Sequence, residues 1–418
     1  MNNIYEKASY CLGCINKPCQ KGCPLNNDTV GFIKLIKEEK YKEAYELLCD
    51  TTVLSSICGR ICPQTKQCEG KCIRAYKGSA VEIGTMESFL GDQAIQNNWD
   101  IPKFNNQLQN QKIAIVGSGP ASLTCASFLA RHGYQVTIYE KYNYLGGLLR
   151  HGIPNFRLPK DILDKTIDKI ISLGIDVKLN QELGKNLSLD FLLNNYNAIF
   201  LGIGANKSTN MNIPGESLAG VFGGNELLEN NNHPDYTNKK VIISGGGNVA
   251  MDVARTIKRL GAKEVTIVYR RSEKEMPAEL KEIKEAKEEG INFLFQTNII
   301  KIEGTHQIEK IECVKTELVK KENDSRLTPI NIENSNFYID ADYIIMSIGS
   351  KAEEKVTREL NIELDSKNKI ITNEYNQTSN PKIFAGGDIT NTIGTVAYAA
   401  RSGRDAAYNI IKYLKGEI

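Results

Sequence analysis

The sequence predicts an α/β chain in which a small, cysteine-rich helical segment precedes two strand–helix–strand units. Three observations predict it. Nine of the eleven cysteines fall within the first 72 residues, two glycine-rich loops each sit between a short apolar strand and a helix pattern, and a late strand runs into Gly-Asp. A chain of 418 residues is long enough for two or three domains with ample core. Its 41% apolar and 24% charged content is ordinary for a globular protein, and a net charge of +2 gives no electrostatic case for a nucleic-acid or membrane partner. No apolar stretch approaches the roughly 20 residues needed to span a bilayer.

The cysteines form two runs, Cys11-x2-Cys14-x4-Cys19-x3-Cys23-Pro24 and Cys58-x3-Cys62-x5-Cys68-x3-Cys72. Thiols this dense need a common partner: a disulfide framework, zinc or iron–sulfur clusters. Disulfides suit small secreted domains, whereas this chain opens with no apolar signal-like run and continues into a long enzyme-like body. Structural zinc favours two cysteine pairs of similar spacing. A run of closely spaced cysteines ending in Cys-Pro is the spacing of bacterial cluster ligation, in which one run serves two clusters. Two [4Fe–4S] clusters are therefore expected. Reduced thiols point to the cytoplasm. Between the runs, Asp28–Cys49 carries Val30, Ile33, Ile36, Tyr41, Ala44 and Leu48 at helical spacing, interrupted near Glu39-Lys40, and reads as packing surface.

Lys112–Val116 reads as a buried parallel strand, followed at once by Gly117-Ser118-Gly119-Pro120-Ala121-Ser122. A helix pattern continues through Ala126, Leu129 and Ala130, and a second strand, Gln135–Tyr139, ends at Glu140. This is a Rossmann-type unit with its acid about 20 residues beyond the glycines. Gly119 lets a pyrophosphate approach the backbone at a helix N-terminus, and Glu140 can accept from ribose hydroxyls. The second copy begins at Val241–Ile243 with Gly245-Gly246-Gly247-Asn248-Val249-Ala250, then a helix over Asp252–Leu260. Its closing strand, Glu264–Tyr269, ends in Arg270-Arg271 rather than an acid. An acid there would repel a 2′-phosphate, while paired arginines neutralise it and bind it bidentately, so NADPH is favoured over NADH. Two such units in one chain suggest a flavin together with a nicotinamide.

Lys382–Asp388, a strand ending in Gly-Asp, precedes an alanine-rich helix from Thr395 and completes a set of motifs that is specific as a whole. Across essentially all 418 residues the chain resembles the glutamate synthase small (beta) subunit family. That family includes the flavoprotein subunit, or N-terminal half, of dihydropyrimidine dehydrogenase and the large subunit of the electron-bifurcating, NADH-dependent ferredoxin:NADP oxidoreductase. The resemblance implies an α-helical iron–sulfur domain over 1–105, an FAD domain over 106–213 and 350–418, and an NADPH domain over 214–349 inserted within it. It assigns the FAD pyrophosphate to Gly117, Ser118, Gly119, Pro120 and Ala121, and the adenosine ribose to Glu140. Gly146, Gly147, Leu148, Arg157, Gly387, Asp388 and Thr395 are further FAD contacts, with Asp388 on the ribityl chain. NADPH falls to Gly246, Gly247, Asn248, Val249, Arg270, Arg271 and Gly349. Cys11, Cys14, Cys19 and Cys72 would ligate one cluster, and Cys23, Cys62, Cys68 and Glu87 the other, leaving Cys49 and Cys58 unligated. Read without the resemblance, Glu87 is an ordinary surface helix residue.

The expected activity is an NAD(P)H-dependent flavin oxidoreductase. It takes hydride from NADPH onto FAD and passes single electrons through the clusters to an acceptor outside the chain. Hydride transfer of this kind needs stacked rings rather than a protein acid or base, so no catalytic residue is expected. A disulfide reductase shares the architecture but needs a paired Cys-x-x-Cys, and Cys125 and Cys313 are solitary and read as small buried residues. No motif for glutamine, 2-oxoglutarate or uracil is present. A separate catalytic or electron-accepting subunit is therefore expected, with the bifurcating type of complex as the alternative setting.

Overall fold

In the computed structural model, which describes residues 4–320 and 326–418, the cysteine-rich segment is a set of short helices joined by tight turns. The amphipathic run divides where the sequence suggests. Helices Thr29–Lys37 and Tyr41–Cys49 pack together across a break at which Glu39 takes φ 57, burying Phe32, Ile33, Ile36, Ala44 and Leu48. Asp28 caps the first helix by accepting from the Gly31 amide at 3.1 Å. The longest helix of this segment, Ile83–Gln96, lies against Ser55–Ile61. The approach is close enough that a Cβ on Gly91 would stand 2.3 Å from the Ser56 hydroxyl.

This segment belongs to one compact unit together with the first dinucleotide-binding sheet, comprising 1–150, 155–205 and 352–418. The sheet has five parallel strands in the order Ile383–Ala385, Ala198–Leu201, Lys112–Val116, Gln135–Tyr139, Asp176–Lys178. Ile113 pairs with Val136 on one side and Ala198 on the other. Helices cover both faces, which is why Ile113–Val116 is an unbroken buried run rather than an alternating one. Helix Pro120–Arg131 packs on the C-terminal helix Val396–Leu414 so tightly that a Cβ on Gly403 would meet the Ala121 carbonyl at 2.0 Å.

The other compact unit comprises 151–154 and 206–351. Its parallel sheet runs Val221–Gly223, Tyr343–Met346, Lys240–Ser244, Glu264–Tyr269, Asn292–Phe295. An antiparallel group adds Thr297–Glu303, Lys310–Val319, Thr328–Asn331 and Phe337–Asp340. Val241, Ile243, Val253, Ile257, Val265 and Ile267 form the core between the parallel sheet and helix Asn248–Arg259. Because Ile383–Ala385 returns to the first sheet, the second dinucleotide unit is an insertion in the first. Cys125 and Cys313 are fully buried, as small core residues.

Candidate functional site

The two cysteine sets differ in their surroundings. Cys11, Cys14, Cys19 and Cys72 line one small pocket, whose remaining walls include Thr29, Val30, Ile33, Val81 and Ile83. Four thiols converging on one void in an otherwise apolar wall fit a thiolate-held cluster. Cys11 and Cys14 are half-exposed, and burial pushes the Cys19 thiol up. Lys37 donates to the Cys11 carbonyl at 2.9 Å, holding the first turn of the loop.

Cys23, Cys62, Cys68 and Glu87 form the deeper set. Glu87 is 6% exposed, on the inward face of Ile83–Gln96. Burial raises its carboxyl to about 8, even though Asn27 donates to Oε1 at 3.1 Å, and the Thr51 hydroxyl in turn donates to Asn27 at 2.7 Å. Burial and the Glu87 charge push Cys23 up to about 12, and the same two causes raise Cys68. Cys62 is raised by its contact with the Cys58 thiol and by burial. Three buried acids and the half-buried Cys23, all resisting ionisation alone, are a donor set that fits a positively charged group, and iron would supply that charge in exchange for their protons. Among the described residues neither set is drawn tight enough to hold a single metal ion.

In the first dinucleotide unit, Gly119 caps helix Pro120–Arg131, and a Cβ there would meet nothing within 4 Å. That open space above a helix N-terminus is where a phosphate sits. Ser118 donates to Glu140 at 2.5 Å and accepts from the Gly146 amide at 3.0 Å. Glu140 also accepts from the Tyr142 amide at 3.0 Å, and burial raises its carboxyl. The Gly146-Gly147 turn thus folds onto the glycine loop. Gly147 has φ +50, and a Cβ on it would stand 2.9 Å from the Gly119 Cα. From the C-terminal segment, the Gly387 amide donates to Ser402 at 2.8 Å, and Thr395 caps the last helix. Asp388 carries a buried Oδ1 that is unpartnered among the described residues, and burial raises its carboxyl. A buried acceptor of this kind fits the hydroxyl-bearing chain of FAD. Leu148 is exposed and Arg157 half-buried.

In the second unit, Gly247 caps helix Asn248–Arg259, and the Tyr269 ring lies against Gly246. Asn248 accepts from the Glu279 amide at 3.0 Å, and Val249 is half-buried beside the core. Gly349 holds φ +154, with its carbonyl accepting from the Thr209 amide at 3.0 Å. Arg270 is exposed at the strand tip, while Arg271 donates through Nε to the Leu327 carbonyl at 2.9 Å. The two arginines thus differ: Arg271 also braces a loop.

Several residues that pattern reading passes over join these parts. Gln67, next to Cys68, reaches Thr395 at 3.5 Å. Arg404 on the C-terminal helix donates to the Leu25 carbonyl at 2.7 Å and the Thr51 carbonyl at 3.3 Å. The fully buried Arg131 donates to the Pro102 and Cys49 carbonyls at 2.6 and 2.5 Å, with its guanidinium 3.7 Å over the Phe104 ring. The deeper cysteine set and the residues around Thr395 and Asp388 therefore adjoin within one unit.

Comparisons with known proteins show the family and the fold. Residues 111–403 match the model of the pyridine nucleotide-disulphide oxidoreductase family, and residues 1–99 match that of dihydropyrimidine dehydrogenase domain II, 4Fe-4S cluster. The glutamate synthase [NADPH] small chain of Escherichia coli is 36% identical over 429 residues, covering 98% of this chain and 91% of its own. The NADPH-Fe(3+) oxidoreductase subunit beta of Geobacter sulfurreducens is also 36% identical, over 85% of this chain and 54% of its own length. Among solved structures, FprA of Mycobacterium tuberculosis in complex with NADPH superposes with a TM-score of 0.66 at 21% identity, covering 74% of this chain and 85% of FprA.

Proposed function

Because the chain belongs to the family of the glutamate synthase small chain, an FAD-, NADPH- and [4Fe–4S]-dependent oxidoreductase family, we propose that it is the electron-input subunit of a larger enzyme. In this reading it collects electrons from NADPH and hands them to a separate catalytic or electron-accepting subunit. One observation supports the reading: the Gln67–Thr395 and Arg404–Leu25 bonds tie the segments of Cys68 and Cys23 to the C-terminal segment, while Cys11 and Cys14 of the other set are half-exposed. When bound, FAD supplies the conversion between a two-electron hydride donor and one-electron clusters. The protein binds, orients and excludes water. Gly119 and the Pro120–Arg131 N-terminus receive phosphate, Glu140 the adenosine ribose and Asp388 the ribityl hydroxyls. Gly247 and Asn248 receive the NADPH pyrophosphate, with Arg270 and Arg271 on the 2′-phosphate. We assign 106–213 and 350–418 to FAD, 214–349 to NADPH and 1–105 to the clusters. On this reading the reduced thiols that such clusters need favour the cytosol.

Anaerobically prepared protein should hold about eight irons and one FAD per chain, reduce artificial acceptors with NADPH, and fail to turn over uracil or glutamine plus 2-oxoglutarate alone. Efficient metabolite turnover by the isolated chain would overturn the subunit reading. Arg270→Ala should weaken NADPH binding by about 1.5–3 kcal/mol, one charge-assisted bond, and leave NADH nearly untouched. It is a cleaner probe than Arg271→Ala, which also releases the Leu327 loop.

A further inference from the structure

The outer cysteine set lies under a patch of exposed apolar side chains. Leu12, Ile15, Ile73 and Tyr76 flank Cys11, Cys14 and Cys72, and all four are exposed, Ile15 at 96% and Tyr76 at 86%. Leu12 and Ile73 also line the cavity that the four cysteines share. The two contributing segments are clipped into one surface. Arg74 donates to the Tyr10 carbonyl at 3.0 Å and lies 4.2 Å over the Tyr10 ring, and the Tyr10 hydroxyl donates to the Ser79 carbonyl at 3.2 Å. Exposed apolar side chains gathered on two segments around one pocket mark an interaction site more often than a bare surface does.

The charges around it are one-sided. Between Cys11 and Cys23 the only charged residues are Lys17, which pairs with Asp28 at 2.7 Å, and Lys21. From Lys66 to Lys77 there are Lys66, Lys71, Arg74 and Lys77 against a single acid, Glu69. Glu69 turns inward, where it accepts from the Gly84 amide at 3.0 Å. A second copy of this chain would bring the same basic rim and be repelled, whereas an acidic surface is attracted and steered.

We propose that this patch is the docking face for a folded electron-accepting protein presenting an acidic rim around an apolar centre, seated over Cys11, Cys14 and Cys72. The proposal rests on the reading above that the chain delivers electrons outward. It adds which face delivers them and what chemistry receives them.

Two soluble one-electron acceptors of opposite charge test it: an acidic plant plastocyanin and the basic mitochondrial cytochrome c. With the loaded protein and NADPH, plastocyanin reduction should fall roughly tenfold between about 20 and 300 mM salt, while cytochrome c reduction should stay flat or rise. Lys71→Glu with Lys77→Glu should invert both trends. Ile15→Ser with Tyr76→Ser should slow plastocyanin severalfold while preserving its salt trend. Flavin and cluster absorption and NADPH–ferricyanide turnover should be unchanged in all variants, which separates docking from folding. Plastocyanin rates that ignore both the charge reversal and the salt would overturn the proposal. So would self-association lost in the Ile15/Tyr76 variant, or binding of phosphatidylglycerol vesicles through the same residues. If NADPH fails to reduce the clusters, the electron-input reading falls, and the same salt series run on photochemically reduced clusters still decides the docking face.

Discussion

The outer and inner cysteine sets are drawn from the same two short runs, yet they meet opposite physics. The outer set keeps Cys11 and Cys14 half-exposed around a cavity, among apolar side chains that reach solvent. The inner set adds a buried carboxyl to three thiols, and burial together with that carboxyl makes Cys23 and Cys68 harder to ionise. The difference shows how one ligand pattern can serve two tasks. An acid-crowded, desolvated site depends on its metal for stability, whereas a site at the surface is free to face a partner. Ligand type, burial and local charge also separate the potentials of otherwise similar clusters.

Iron removal is the strongest way to break the comparison. Stripping the protein should lower its stability by several kcal/mol, the scale at which metal binding couples to folding, and the loss should centre on the inner set. The pH dependence has a definite sign. Glu87 rises from an ordinary 4.5 to about 8 in the folded chain. The Glu87 contribution to the stability of the iron-free protein is therefore fully present below about 4.5 and is lost as pH climbs through about 8, because unfolding releases a proton over that window. Melting temperatures of iron-free protein across this range check it, and Glu87→Gln should flatten the slope. In the loaded protein, Glu87→Gln should change one cluster's electron paramagnetic resonance signal and leave the other alone. Two unchanged signals would remove Glu87 from the ligand set.

Arg404 sharpens the comparison by testing whether the inner set is tied to the C-terminal helix. Its guanidinium serves the Leu25 carbonyl, two residues past Cys23, and the Thr51 carbonyl beside the Asn27–Glu87 chain. Arg404→Ala leaves both acceptors short of a donor and should cost about 1–3 kcal/mol. It should also broaden the inner cluster's signal, while Arg404→Lys restores part of it. A loss of stability with both signals intact would make Arg404 a strut alone.

The glycine loops, their strands and the Glu140 and Arg270 tips were legible because their spacing is imposed by a rigid ligand. Strand Gln135–Tyr139 and the Thr395-capped helix stand where the residues suggest. The second unit's helix begins at Asn248 rather than Asp252, since Gly247 caps it directly and the glycine motif is already its first turn. Glu87 is the instructive failure of pattern alone. A glutamate in a helix beginning Ile83-Gly-Thr-Met reads as surface, and only the packing of that helix on Ser55–Ile61 buries it. Asn27, Gln67, Arg131 and Arg404 were invisible for the same reason. Each joins segments distant in sequence, through bonds to backbone or to a single side chain that leave no periodic trace.

The smallest expected effect lies at the outer set, and its smallness is the point. Tyr10 closes the outer loops by donating to the Ser79 carbonyl at 3.2 Å from an exposed position. Water can replace such a bond, so Tyr10→Phe should cost less than about 1 kcal/mol and keep the Arg74 stacking on the ring. Both cluster signals should be unchanged, and thermal melting of the loaded protein should shift by no more than a few degrees. Tyr10→Ala removes the ring as well. It should loosen the Cys11 and Cys72 loops and make the outer cluster, alone, more sensitive to oxygen. If Tyr10→Phe proved as damaging as Arg404→Ala, the outer site would be as dependent on internal bonding as the inner one, and the contrast between a metal-dependent core and a partner-facing rim would fail.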